Sequence, residues 1–330
     1  MQISTNSNQY SYSPMMALMA GATPGAGQNV PGQTANPITV ASSSGATLFG
    51  VTSTGVLQIA STTDPLAPAG NMLNIYATDI AGRVVPAWMS ADGSVSPIQS
   101  SLGFSRVAMV VPSNTLSSTA VGTSPANAGK LSVPALASTD LLTSARRITF
   151  STTANPGSIA GQRQNALMVW RGNSPGLGGF FYTIRFGTPK IALGNHAFVG
   201  LADSISALSD LDPIASTTPG KIGVAVDDAT GNWQFVSNMT GMVPTATDLG
   251  VNFPINTTDL YELVMYSPPD GTTISWRVSD LSTGQRTTGV ASANIPDAST
   301  FLAPQFWITN DQTSAVVALD FGGWYLESDN

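Results

Sequence analysis

The 330-residue chain contains no cysteine and a single histidine, His196. Without thiols there is no disulfide framework, no thiolate metal site and no thiol nucleophile, and the redox compartment is left open. One histidine excludes a multi-histidine metal centre. Charge is scarce too: 12 Lys+Arg and 19 Asp+Glu amount to 9% of the residues, against about 25% in an average soluble domain. The first basic residue is Arg83, a pattern expected of neither a signal peptide nor a transit peptide. The longest apolar run near the N-terminus, Met15 to Ala20, is far too short to span a bilayer. These absences predict a soluble, non-secreted protein without a membrane-inserted segment.

The apolar fraction is an ordinary 42%, with 32 Gly and 22 Pro. Low charge with a normal apolar share does not fit disorder, which needs few hydrophobic residues and much charge. Ser, Thr, Asn, Gln and backbone must cover the surface, which suits an extended β-rich assembly. The net charge of −7 is unevenly spread. Residues 146–190 hold Arg146, Arg147, Arg163, Arg171, Arg185 and Lys190 with no acid. Residues 191–330 hold 15 acids against Lys221, Arg277 and Arg286. A nucleic-acid surface is one reading of the basic segment, given Phe180, Phe181, Tyr182 and Phe186 among its charges. Pairing within the chain or across a subunit contact fits better, because arginine favours bidentate contact with carboxylates. These six basic residues are therefore candidate ion-pair residues, and nucleic acid is not an expected partner.

Residues 1–45 are rich in Ser, Asn, Gly, Pro and Ala and cannot bury enough surface to fold alone; they are expected to form an extended docking arm. Residues 46–70 follow as an attachment segment, a hairpin over Ala46–Ile59 that turns at Ser53-Thr54-Gly55. Residues 71–145 are expected to be a small β-rich connecting domain. In it, Arg83 to Met89 runs into a turn at Asp92-Gly93, Val107 to Val111 is a strand stopped by Pro112, and Ser113 to Ala137 is loop-like. A short helix is expected over Ser138–Arg147, capped by Ser138 or Thr139. Residues 146–330 carry dense strand signals. Phe180 to Phe186 is aromatic and β-branched, and Thr273 to Ser279 alternates Ile274, Trp276 and Val278 with polar residues, as a half-buried antiparallel strand does. It pairs naturally with Leu260 to Ser267 through Pro268-Pro-Asp-Gly271. Further turns fall at Asp228–Gly231 and Ser282–Gly284. The predicted fold class is all-β and mainly antiparallel, with a β-sandwich or jelly-roll-like C-terminal domain.

Chemical motifs are sparse. Gly176-Leu-Gly-Gly-Phe180 lacks the Gly-Lys-Ser/Thr of a phosphate loop and reads as a turn entering a strand. Asp227-Asp228 could be imagined as a glycosidase pair, but it leads into a turn, where Asp is a standard former. The chain has two glutamates, Glu262 and Glu327; Glu262 is expected mid-strand, solvated or paired to an arginine. His196 finds no Gly-x-Ser-x-Gly elbow and is expected to be a satisfied structural histidine. Asn238-Met-Thr240 and Asn256-Thr-Thr258 match the glycosylation sequon and, without a secretion signal, read as chance matches. Trp276 is assigned to the core by alternation. Core is also the default for Trp88, Trp170, Trp233, Trp307 and Trp324, although any of these could be a sugar-stacking platform. No catalytic residue, cofactor or metal site is expected.

From about Ala77 onward the chain resembles a module of tailed-bacteriophage virion proteins, the tail fibre and minor structural proteins. The stretches that carry the likeness are Asp79-Ile-Ala-Gly-Arg-Val-Val-Pro-Ala-Trp88, Asp140-Leu-Leu-Thr-Ser-Ala-Arg-Arg147, Ala160-Gly-Gln-Arg163 and Gly176-Leu-Gly-Gly-Phe-Phe-Tyr-Thr-Ile-Arg-Phe-Gly187. It continues through Phe198-Val-Gly-Leu201, Asp248-Leu-Gly-Val-Asn-Phe-Pro254, Tyr261-Glu-Leu263 and Tyr325-Leu-Glu-Ser-Asp-Asn330. The resemblance implies a virion appendage with a β-rich distal domain, usually a homotrimer, and transfers no catalytic motif. The expected role is a short tail fibre or adaptor that contacts other virion proteins through residues 1–70 and a host surface glycan through the C-terminal domain. A capsid decoration or head-fibre protein without a receptor role is the alternative. A polysaccharide-degrading tailspike is disfavoured because its long, repetitive β-helix signal is missing. Host capsular polysaccharide or lipopolysaccharide incubated with the protein is expected to release no reducing ends. Turnover abolished by one Asp or Glu substitution would overturn that expectation.

Overall fold

Alternating and fully apolar runs become strands almost throughout the computed structural model, which describes residues 38–328 apart from 53, 92–94, 98–105, 117, 175–176, 228–230 and 270. The described residues form two compact units, one up to residue 79 together with 84–100, the other 80–83 with the chain from 101 onward.

In the first unit, β1 (Ile38–Ala41), β2 (Thr47–Val51) and β3 (Leu57–Ile59) make a three-stranded antiparallel sheet. The expected hairpin is thus present, although part of its turn, residue 53, lies outside the described residues. The expected arm is shorter than 1–45: Ile38-Thr-Val-Ala41 alternates well enough to add a strand to the hairpin, and residues 1–37 lie outside the described residues. A four-stranded sheet follows, with β4 (Ser61–Thr62), β5 (Asn74–Ile80), β6 (Arg83–Met89) and β7 (Val95–Pro97). The turn at Asp92-Gly93 also lies outside the described residues. Val85, Ala87 and Met89 of β6 are buried on one face with Tyr76, while Val84 and Trp88 on the other face are exposed. Trp88 therefore departs from the core placement expected of it, because a sheet this small buries only one face.

The second unit is a β-sandwich. Its first sheet runs in the order β10 (Pro125–Ala128), β13 (Ile159–Gln164), β22 (Ala303–Thr309), β15 (His196–Ala202), β16 (Lys221–Val226), β17 (Gln234–Asn238), β18 (Thr245–Asp248). The second runs β11 (Lys130–Ser132), β12 (Ile148–Ser151), β23 (Ala318–Ser328), β14 (Phe180–Lys190), β19 (Tyr261–Ser267), β20 (Ile274–Asp280), β21 (Arg286–Ala291). There β8 (Arg106–Val111) pairs with the far half of β23 and with β9 (Thr119–Val121). All of these pairings are antiparallel.

Two expectations change here. Residues 113–137 are not all loop, and residues 106–132 belong to the sandwich rather than to a separate connecting domain. Of these strands, β9, β10 and β11 are three or four residues long and lie at sheet edges, where pairing on one side is enough to hold sequences with little apolar signal. Pro125 opens β10, a position where its missing N–H is harmless. Gly129, at φ +78°, carries the chain from β10 in one sheet to β11 in the other, and a Cβ there would run into Ala160 and the Ser151 carbonyl. The helix is also shorter than expected. α1 is one turn, Leu141–Ser144, and Asp140 rather than Ser138 or Thr139 is its N-cap. The Asp140 carboxylate accepts from Thr143 N (2.7 Å) and Thr143 Oγ1 accepts from Asp140 N (3.2 Å), a reciprocal capping arrangement. These bonds hold the Asp140 carboxyl below its ordinary pKa.

Aromatic rings join the two sheets. Phe306 meets Phe150 edge-on at 5.1 Å and stacks on Phe321 at 4.6 Å; Phe186 meets Trp233 at 5.0 Å, and Phe235 stacks on Trp276 at 4.3 Å. Such pairs add about 0.5–1.5 kcal/mol each beyond their buried area. Trp276 is core, as its alternation implies.

The six basic residues of 146–190 meet different fates. Arg147 is buried at the start of β12, where its Nε donates to Asp320 Oδ2 of β23 (2.7 Å) and its Nη1 to the Thr143 and Ala145 carbonyls (2.9 and 3.1 Å). Thr149 donates to the same carboxylate. Burial raises the Asp320 carboxyl above its ordinary pKa despite Thr149 and Arg147. Arg185 Nε donates to Glu262 Oε2 (2.9 Å), and Arg277 stands 3.5 Å from the other oxygen. Arg171 is buried and donates to the carbonyls of Pro296 (2.7 Å) and Gly271; burial lowers its pKa and Asp297 partly restores it. Arg163 donates to Asn165 Oδ1 (2.9 Å), and Arg146 and Lys190 are exposed. Removing one partner of a buried pair leaves a bare charge and costs about 3–5 kcal/mol, whereas exposed pairs contribute about 0–1 kcal/mol. Arg147→Met should therefore lower unfolding free energy in urea by about 3–5 kcal/mol, and Arg185→Met, with its arginine 57% exposed, by less than about 1 kcal/mol. The double variant Arg147→Met/Asp320→Leu should recover most of the loss; equal losses in Arg147→Met and Arg185→Met would contradict this reading.

Candidate functional site

Strands β15, β16 and β22 are buried at almost every position, so the middle of the first sheet is covered on both faces. Ala197, Val199, Leu201, Phe306 and Ile308 face the sandwich core. Phe198, Ala225, Val236 and Trp307 form a separate cluster on the outer face, against the partly buried Leu208, Leu211 and Ile214. Those three belong to the loop Asp203–Gly220, which leaves β15 and returns as β16. Its apolar side chains are what cover the outer face.

The cover is held by polar side chains, three of them buried: Asn238, Gln305 and Lys221. Asn238, at the end of β17, is fully buried and donates to the carbonyls of Thr217, Pro219, Met239 and Met242. That burial leaves its sequon inaccessible. Thr240 donates to Asp203, and Gly220 N donates to Thr240 Oγ1 (3.1 Å). Gln305 of β22 reaches the Ser204 carbonyl. Asp212 caps the loop's inner turn, accepting from Ile214 N (2.8 Å) and Ala215 N (3.1 Å). Lys221 is buried, and its Nζ donates to the Ser216 carbonyl at 2.7 Å. Burial pulls its pKa down to about 8, against the opposing influence of Asp203 and Asp212.

Between this loop and the sheet lies a cavity of about 420 Å³. Phe198 and Trp307 line its floor, Ser206, Ser209, Ser216 and Thr218 supply hydroxyls, and Asp203 and Lys221 supply charge. Its size and its mixture of apolar floor and converging polar groups are those of a small-ligand site. The six basic residues singled out from the sequence share no acceptor with one another and line none of this cavity. The loop's residues escaped sequence reading because their apolar positions are irregularly spaced among Ser, Asp and Pro; only the density of Asp between two apolar strands hinted at a structured segment.

At the middle of the same loop, Asp210 approaches His196 and Asp311. One donor atom from each of the three lies within 4.8 Å of the others, and all three residues are half-buried. Thr309, directly opposite His196 in the β15–β22 register, donates to Asp210 Oδ1 (2.7 Å) and accepts from Asp311 N (3.1 Å). His196 differs from expectation: its Nδ1 is buried with no hydrogen-bond partner. Asp227 lies near Gln234, whose Nε2 stands 3.4 Å from Asp227 Oδ1; residue 228, with which it is expected to enter a turn, lies outside the described residues.

No known protein family matches the sequence, and no curated protein matches it. Among solved structures, the fold is similar to that of a protein of unknown function from Shewanella oneidensis MR-1, at 12% identity over 68% of this chain and 86% of that one, TM-score 0.44. It is similar to lectin I of Ulex europaeus in complex with the methyl glycoside of α-L-fucose, at 12% identity over 68% and 98% of the two chains, TM-score 0.44. It is also similar to a carbohydrate esterase from the Shiga toxin-encoding bacteriophage phi24B, at 13% identity over 62% and 89%, TM-score 0.39.

Proposed function

We propose that this chain is a structural protein of a tailed-phage virion, a homotrimeric tail fibre or appendage that docks through residues 1–70 and binds a host surface glycan without turning it over. The observation that carries the glycan reading is the cavity under Asp203–Gly220. A sugar presents many hydroxyls and one apolar ring face, and the cavity offers serine and threonine hydroxyls, a carboxylate and the Phe198–Trp307 floor. The virion reading is supported by the sequence resemblance from Ala77 onward. Docking through residues 1–70 is supported by their exposed apolar residues, Leu48, Phe49, Val56 and Leu57 of the β2–β3 hairpin and Leu66 beyond it, since exposed apolar surface that is not scattered singly marks contact with other proteins.

Host surface polysaccharide added to the full chain should bind saturably, and Asp203→Asn should weaken binding about tenfold, the loss of about 1.4 kcal/mol expected for one charged hydrogen-bonding group. Binding that is unchanged in Asp203→Asn and blocked by substitutions elsewhere would move the glycan site off this cavity. Virions labelled at the C-terminus should show the label on the tail; label on the head would favour a decoration or head-fibre protein instead.

Lys221 gives the cavity wall a pH signature. Burial pulls its pKa down to about 8 from the ordinary lysine value of 10.5, so between these values the unfolded chain binds more protons at this group than the native chain does. Stability from this group therefore rises with pH across that window and is lowest below it. Urea unfolding at pH 7, 8, 9 and 10 should show wild type gaining stability relative to Lys221→Met above pH 8, and parallel profiles would mean that Lys221 is not desolvated.

A further inference from the structure

We propose that His196, Asp210 and Asp311 form a binding site for one divalent transition-metal ion of the Zn²⁺ or Mn²⁺ class, which staples the loop Asp203–Gly220 to the first sheet. The three ligands come from three places in the chain: the first residue of β15, the middle of the covering loop, and the turn after β22. Their donor atoms lie within 4.8 Å of one another, yet among the described residues His196 forms no ion pair with either carboxylate. Donor atoms on opposite sides of an ion with bonds of about 2.1 Å are about 4.2 Å apart, and closer in a tetrahedral shell, so small side-chain rotations close the set on a metal.

Two further observations point to an ion rather than to a chance meeting of side chains. The buried Nδ1 of His196 has no hydrogen-bond partner, although most buried polar side-chain atoms have one. Thr309, fully buried, donates to Asp210 through the hydroxyl that also accepts from Asp311 N, which orients one carboxylate and anchors the backbone of the other ligand residue, as outer groups around a metal do. The donor set selects the class of ion. One imidazole with two carboxylates suits Zn²⁺ or Mn²⁺, whereas Ca²⁺ and Mg²⁺ prefer oxygen alone. Water would complete the shell. This site differs from the metal-free expectation drawn from the sequence, where one histidine among scattered aspartates gave no spacing to read.

The inference stands apart from the glycan reading, because ion binding is measured with no sugar present. Full-length protein stripped with EDTA should bind Zn²⁺ at one ion per chain by calorimetry and melt several degrees higher in its presence, with Ca²⁺ and Mg²⁺ giving no comparable shift. His196 is the only histidine, so the imidazole signals in a proton–nitrogen correlation spectrum need no assignment, and stoichiometric Zn²⁺ should shift them. His196→Gln and Asp311→Asn should each weaken binding at least a hundredfold, while Asp248→Asn, an exposed carboxylate of β18 outside the set, should leave it unchanged. Imidazole signals untouched by stoichiometric Zn²⁺, or one-to-one binding that survives both His196→Gln and Asp311→Asn, would overturn the proposal. If His196→Gln fails to fold, Asp311→Asn and the wild-type imidazole signals still decide it.

Discussion

Burial of both faces of one sheet is the constraint on which the rest of this molecule depends. A sandwich needs only its inner faces dry, but β15, β16 and β22 carry apolar side chains outward as well. Something must cover Phe198, Ala225, Val236 and Trp307, and an eighteen-residue excursion between two adjacent antiparallel strands does so, where a two-residue turn would have joined them. Everything distinctive about this face follows from that cover: the Asn238 peg, the desolvated Lys221, the cavity beneath the loop and the meeting of Asp210 with His196 and Asp311.

Charge scarcity acts in the same direction. With few ionic groups, the chain places several of them where each has a defined partner: Arg147 on Asp320, Arg83 on Glu327 at 2.6 Å, and Arg185 and Arg277 on Glu262. The first two pairs link residues far apart in sequence and lie in partly or fully dry surroundings. A misregistered β12 would leave the Arg147 guanidinium and the Asp320 carboxylate buried without each other, so the pair discriminates between registers more than it adds to net stability.

Strand identity was legible wherever side-chain alternation is strong. Ile274, Trp276 and Val278 point inward as their spacing requires, and the hairpin with Tyr261–Ser267 pairs as the intervening turn implies. The one-turn helix was legible in place but not in cap, because Ser138, Thr139 and Asp140 are all good caps and only the reciprocal bond with Thr143 selects among them. The edge strands β9, β10 and β11 were not legible: short strands paired on one side can use residues that carry no pattern. The candidate site was legible least. Its floor comes from alternate residues of strands that read as continuous apolar runs, and its wall comes from a loop whose meaning depends on which sheet face it covers. His196 could be singled out as unique, but not the carboxylates beside it, which lie 14 and 115 positions further along the chain.

The place of β23 has a consequence for biosynthesis. Ala318–Ser328 lies between β14 on one side and β12 and β8 on the other, so partners from about 130 to 220 positions upstream wait for it. On a translating ribosome, the strands on both sides would be complete, and their inner edges unpaired, while about 130 further residues are made. Such edges invite pairing with the wrong chain, and the non-local contacts that close them form slowly. In a homo-oligomer whose chains are made side by side on one message, the same open edges would be available to neighbouring nascent chains. The low charge that suits the finished surface leaves little repulsion to keep those chains apart, so its folding is expected to be strongly concentration-dependent and helped by holding chaperones.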